Sequence, residues 1–285
     1  MAWTNDDIPW DRFRRDLIEA DLVRLIAAAS LVEYNAEAYG RYLAAVFADD
    51  AAFSAELTRW VDEERQHGEA LRRWSTLADP TFAGDTALQR FSATITLPEQ
   101  AQSVRGSRLG ELVARCTVEV GTHTFYSAIA QAAREPVLRQ ICRRIAADEA
   151  RHYKLFFDHA RRYRGQVGRW RLLLVAIGRM ADTGDDELAF AWHAAAGAGA
   201  GGANYRRRRD GARFHLAGLS RYRRRHIDHA AKLLAQAVGF PTTGWFARIG
   251  GLLGWRALCH RLRTAEFEAG GCPPGRGCGF SVGSI

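Results

Sequence analysis

No run of about 18 apolar residues free of charge occurs in the 285-residue chain, so no helix built to span a bilayer is expected. The first residues, MAWTNDDIPWDRFRRD, are charged and lack the apolar core of a secretory signal, so a cytoplasmic protein is expected. Cysteine is scarce: the whole chain has 5, too few for a disulfide framework at this length. Cys116 and Cys142 fall in helical patterns and read as buried thiols. Cys272 and Cys278 stand in a Gly/Pro-rich tail without the second pair that a zinc site needs. Strand signals are nearly missing as well. The only β-looking run, FSATITLP at residues 91–98, sits in what reads as a connecting loop.

What remains is helical periodicity in a chain that is 47% hydrophobic, enough for a sizeable core. The pattern predicts a first long helix over residues 18–47 and a second over 51–77, ending before Asp79-Pro80. A third is expected over 108–133, and a fourth restarts at Pro136, which suits a first helical turn, and runs to residue 163. Two pairs with short internal connections and a long crossover at residues 78–107 describe an all-α, ferritin-like four-helix bundle. Additional C-terminal helices are expected over 169–180, 187–196 and 205–238, with an amphipathic one over 242–263. The expected organisation is a bundle with an N-terminal lead-in over 1–165 and a basic helical extension packed on it over 166–265. A disordered Gly/Pro-rich tail follows over 266–285.

Charge divides the same way. Residues 1–160 carry 19 basic against 24 acidic side chains, and residues 161–285 carry 21 against 8. The net +8 therefore comes from the C-terminal part, where an acidic partner would dock unless this is simply a solvated basic face.

Within VDEERQHGEA (residues 61–70), Glu64 and His67 stand three residues apart, and AADEARHYKL (146–155) repeats the arrangement with Glu149 and His152. Side chains at that spacing share one helix face and can reach one ion together. Trp60, Glu64, His67 and Leu71 form one stripe, and Ile145, Glu149, His152 and Phe156 another. A Glu and a His in an apolar stripe are costly unless something compensates them. One Glu-x-x-His arises on any charged helix; two, with unaccompanied glutamates on the other helices, point to a dinuclear metal site. The first helix offers Glu33, with Glu37 one turn later, and the third offers Glu119. Glu33 and Glu64 are separated by 31 residues and Glu119 and Glu149 by 30, so antiparallel neighbours bring each pair to the same height. Carboxylate and imidazole donors suit two iron ions, with manganese a second choice.

Around that set, Asp148 lies off the ligand phase and is placed to accept from the outer nitrogen of a ligating histidine. Thr122, three residues after Glu119, points at the same cavity, either to orient bound oxygen or to bond back to its own helix. Glu63 and Glu69 are expected to face solvent, His123 to be a satisfied core or boundary histidine, and Tyr126 and Cys116 to line the cavity wall.

The segments RWVDEERQHGEAL (59–71) and QICRRIAADEARH (140–152) resemble the soluble acyl-[acyl-carrier-protein] desaturases, and Glu119-Val-Gly-Thr122 is similar to that family's Glu-x-x-Thr. The resemblance covers residues 25–163 and fades in the C-terminal third. It implies that Glu33, Glu64, His67, Glu119, Glu149 and His152 are the six iron ligands and that Thr122 sits beside the oxygen-binding face. It also implies that Asp148 supports a ligand and belongs to an electron path, that electrons come from a ferredoxin-type donor, and that the chain forms a homodimer. The reaction implied is O2-dependent removal of hydrogens from an acyl chain. Arylamine N-oxygenases, tRNA hydroxylases and rubrerythrin-like peroxidases share a similar ligand scheme.

Three functions follow as expectations. The first is a di-iron oxygenase or desaturase acting on an apolar chain held by an acidic carrier protein, drawn to the nine arginines within residues 206–225. The second, ranked lower, is a nucleic-acid hydroxylase using those arginines with Tyr205, Phe214 and Tyr222. The third is an iron or peroxide-handling protein. The segment GWFARIGGLLGWRALCHRL (244–262) has the composition of a membrane-interface helix, although packing on the bundle is the preferred reading.

Overall fold

Polar side chains start the long helices where the sequence places them. Asp50 accepts from the backbone N–H of Phe53 at 3.2 Å, Ser107 from that of Gly110 at 3.0 Å, and Glu135 from that of Leu138 at 2.7 Å. In the computed structural model, which describes residues 3–97, 101–182, 186–196 and 204–270, they open α3 (Ala51–Ala78), α5 (Arg108–Ala132) and α6 (Pro136–Arg162). Ahead of them run α1 (Ala20–Tyr34) and α2 (Ala36–Val46), and three short 3-10 turns precede α1. The crossover contains α4 (Gly84–Thr94). After the bundle come α7 (Arg169–Asp182), α8 (Glu187–Ala194), α9 (Arg207–Leu219), α10 (Arg224–Val238) and α11 (Trp245–Glu268).

The fold is all-α, a ferritin-like helical bundle with added C-terminal helices. α1 packs along α3, α5 along α6, and the two pairs meet where α3 touches α6. The core falls into two hydrophobic clusters. One gathers Leu25, Trp74, Phe91, Ile129 and Ile141; the other gathers Phe47, Phe53, Trp60, Leu112 and Phe156. Between them lies the layer of charged residues described below. On the flank where α1 and α5 face each other, α7 and α10 pack on α5, α8 packs on α1, and α11 lies across α9 and α10.

Four expectations need correction. The first long helix is two, joined at Asn35, whose N–H bonds to the Val32 carbonyl at 3.0 Å. Its amide Nδ2 donates to Glu187 of α8 at 2.7 Å, so tertiary contact holds the joint. The β-looking run at 91–98 begins as the last turn of α4, because Phe91 is needed in the core. The helix expected over 205–238 breaks into α9 and α10, with Arg221 and Tyr222 in a turn bonded to the Gly218 and Leu219 carbonyls. α11 runs to Glu268, into the segment expected to be tail; residues 271–285, with Cys272 and Cys278, lie outside the described residues.

Glu135 fixes the corner between α5 and α6. Besides capping α6, its buried carboxylate accepts from Trp74 Nε1 at 2.8 Å and from the Arg14 backbone at 3.1 Å, tying the lead-in and α3 to the corner. Glu135→Ala removes a cap and strands a buried indole N–H, so urea denaturation should show a loss of about 2–4 kcal/mol. Glu135→Gln, which keeps one acceptor oxygen, should lose about half of that.

Candidate metal centre

Six polar side chains that the helix periodicity turns inward meet in the layer between the two hydrophobic clusters. Glu33 comes from the last turn of α1, Glu64 and His67 from α3, Glu119 from α5, and Glu149 and His152 from α6; all are buried. They form two overlapping groups able to hold a metal ion: Glu33, Glu64, His67 and Glu149, and Glu64, Glu119, Glu149 and His152. Within each, the donor atoms lie within 4.8 Å of one another, and Glu64 and Glu149 belong to both. Glu37, one turn beyond Glu33, is exposed and outside the cluster.

The two histidines face the cluster the same way. His67 Nδ1 lies 3.5 Å from Glu64 and 3.4 Å from Glu149, and His152 Nδ1 lies 3.1 Å from Glu64 and 3.7 Å from Glu119. Each turns its Nε2 outward to a carboxylate: His67 to Asp148 at 2.9 Å, His152 to Glu63 at 2.8 Å. With the proton held on Nε2, Nδ1 presents a lone pair to the centre. Both Nδ1 atoms and Glu149 Oε1 are buried without a hydrogen-bond partner, the condition of atoms arranged for a cation. Hard carboxylate oxygens with two imidazoles fit iron or manganese, so the residues present fit a pair of such ions.

Electrostatics point the same way. Burial and then the neighbouring Glu64 charge raise Glu33 to about 8, and the same causes push Glu149 well above the usual carboxylate range. Burial works against the anion of Glu64 too, but hydrogen bonds from His152 and His67 outweigh it and lower the carboxyl. His67 and His152 are lowered by burial and raised more by their carboxylate partners, His152 to about 10. Without a metal, the layer takes up protons to offset its charge.

Around the six stand several residues with defined contacts. Thr122 donates to Glu149 and also lies 3.3 Å from the Val118 and Glu119 carbonyls, so it serves both the centre and its own helix. Tyr126 donates to Glu33. Asp148 accepts from Trp3 Nε1 at 2.7 Å and pairs with Arg151 at 2.6 Å, and the Trp3 ring stacks on His67 with centroids 6.0 Å apart. Arg115 is buried, paired with Glu119 at 2.5 Å and packed against the rings of Trp60 and Tyr39. His123 bonds to the Ala146 carbonyl at 2.7 Å, and Glu69 is exposed.

Glu63 does not simply face solvent, as its phase suggests: it is half-buried against His152. The signal was present in the repeat itself, since both halves read acid-Glu-x-x-His, Glu63 standing to Glu64 as Asp148 stands to Glu149. Arg115 shows one turn before Glu119, whereas nothing local marks Trp3, which arrives from 145 residues away. Cys116 turns toward the Tyr153 carbonyl on α6, not toward the cavity wall.

A cavity of about 940 Å³ opens from the centre, with Glu33, Glu64, Glu119, Thr122 and Glu149 at one end. Its remaining wall is mostly apolar and comes largely from α7, α10 and α11. The arginine-rich segment is largely engaged within the protein: Arg209 pairs with Asp210, Arg221 with Asp21 and Arg224 with Asp228, and Arg225 donates to Gln131. Phe214 is buried in the core and Tyr222 lines the cavity, so neither offers a stacking face to RNA.

Residues 22–163 match the family model described as a fatty acid desaturase, a span that holds all six clustered side chains and runs from α1 to the end of α6. No curated protein matches the chain.

Because Glu33 and His152 are raised above their unfolded values of 4.5 and 6.5, the stability they lend the metal-free chain is full below those values. It is lost as pH rises through about 8 and about 10. The melting temperature of the metal-free protein should therefore fall from neutral pH toward pH about 10, and metal-loaded protein should fall less. Coincident profiles would contradict this assignment.

Proposed function

We propose that this chain is a di-iron oxidoreductase that uses O2 and an external electron donor to oxidise an unactivated C–H bond of a long apolar substrate. The observation that carries the proposal is the position of the shared carboxylates: Glu64 and Glu149 belong to both metal groups and also stand at the polar end of a mostly apolar cavity. The match of the bundle to a fatty acid desaturase family supports it. Two iron ions, held by Glu33, Glu64, His67, Glu119, Glu149 and His152, would supply the reduction of O2, with manganese the alternative metal.

The protein's own residues do the rest. Asp148 and Glu63 hold the histidine rings with Nδ1 inward, and Tyr126 and Arg115 hold Glu33 and Glu119. Thr122 brings a hydroxyl to the cavity end beside Glu149, where it can hand a proton to, or orient, oxygen. The apolar wall places a chain against that end and excludes water. Reducing O2 to water takes more electrons than a hydrogen pair supplies, so a donor is required. The hydrogen-bonded series Trp3–Asp148–His67, flanked by Arg144 and Arg151, offers a route and a basic docking point for an acidic ferredoxin-type protein.

Iron-loaded protein supplied with reduced ferredoxin, O2 and acyl substrates of graded length should yield a double bond or a hydroxyl group at a fixed distance from one end. Thr122→Val should keep its iron and lose about tenfold or more in product formed per O2 consumed. Fast hydrogen peroxide reduction with no O2-dependent product from any chain length would overturn the proposal in favour of peroxide handling.

A further inference from the structure

The cavity does not end inside the protein. Five of its wall residues rank among the most exposed large apolar side chains: Ile177 and Met180 on α7, at 48% and 42%, and Trp245, Ile249 and Leu253 on α11, at 73%, 45% and 57%. They mark the mouth. The same faces continue outward from it, through Trp170 and Leu174 on α7 and Leu252 on α11. On α7 the exposed residues follow at i, i+4, i+7 and i+10, and on α11 at i, i+4, i+7 and i+8, so each helix turns an apolar stripe outward while its opposite face packs on the protein. Apolar side chains gathered in this way around an opening mark an interaction site.

The charge beside the stripes has one sign. Exposed Arg169 and Arg171 flank Trp170, and exposed Arg248, Arg256 and Arg263 lie along the outer side of α11. From Trp245 to Ala265 that helix carries no acidic residue, and none stands in α7 before Asp182. Among the described residues no carboxylate pairs with Arg248 or Arg256.

We propose that the α7–α11 mouth docks on an anionic lipid surface, with Trp170, Leu174, Trp245, Ile249 and Leu253 in the acyl boundary and the arginines at the phosphates. Charge complementarity selects this occupant. A second copy of the chain would set arginine against arginine. An acidic protein answers the arginines but leaves the two apolar stripes to be covered by other means. The edge of an anionic bilayer answers both, which is the pairing that interfacial helices use. The mouth then opens toward lipid, and a chain can pass into the cavity without crossing water. The docking itself stands apart from the chemistry proposed above; that the docked cavity takes up the oxidisable chain rests on it.

Flotation of the full-length protein with phosphatidylcholine vesicles, with and without phosphatidylglycerol, tests the docking without any turnover. Binding is expected only with the anionic vesicles and should weaken with added salt. Trp245→Ala with Leu253→Ala, and separately Arg248→Gln with Arg256→Gln, should each weaken it by about tenfold or more while helical content and metal loading stay as in the parent. No flotation on anionic vesicles at low salt would overturn the proposal. So would unchanged binding by both variants. Binding that appears only after removal of residues 271–285 would show that the tail occupies the face, and capture of an acidic carrier protein without vesicle binding would assign the face to that partner; either result overturns the lipid assignment.

Discussion

Four carboxylates and two imidazoles are buried in one layer between two hydrophobic clusters, and what neutralises that layer decides whether the bundle is a stable arrangement. Buried charge is tolerated only when paired, and here the pairing is incomplete: both histidine Nδ1 atoms and one Glu149 oxygen face the centre with no partner. Cations held by the two groups, which share Glu64 and Glu149, would complete it. Much of the surrounding structure serves to hold the six donors still. Asp148 and Glu63 fix the rings, Tyr126 and Arg115 fix the outer glutamates, and Trp60, Trp74 and Phe156 fill the space above and below. An unfilled layer would lower folding stability, so metal occupancy would be tied to the integrity of the bundle.

The C-terminal helices give this centre its second property. A four-helix bundle alone would leave the flank between α1 and α5 open to water. With α7 to α11 across it, the flank becomes a mostly apolar cavity that begins at Thr122 and Glu149 and opens at a rim of exposed Trp, Ile, Leu and Met side chains. The centre determines what chemistry is available; the helices that roof it determine what reaches it. That division agrees with where the family match stops, at residue 163.

The bundle and the cluster were legible in the sequence for a physical reason: both depend on periodicity. Glu-x-x-His twice, with single glutamates at matched spacing, puts six donors on inward faces whatever else the chain does. The misses were contacts that periodicity does not encode. The joint at Asn35 depends on Glu187 of α8, and α4 depends on a place in the core for Phe91. Trp3 reaches Asp148 only because the lead-in crosses the bundle. Glu63 departs from its phase because one residue of offset rotates a side chain by about 100°, toward solvent on an isolated helix but against His152 in the bundle. The mirrored position of Asp148 carried the information that phase alone did not.

The shared-carboxylate arrangement is tested most directly by metal stoichiometry in three proteins of unchanged helical content. The parent chain should bind two iron ions per molecule, Glu63→Ala should still bind both with altered affinity, and Glu64→Ala, which removes an oxygen donor from both groups, should lose both together. One iron or none in the parent, or full retention of both in Glu64→Ala, would contradict a centre built on carboxylates that two ions share.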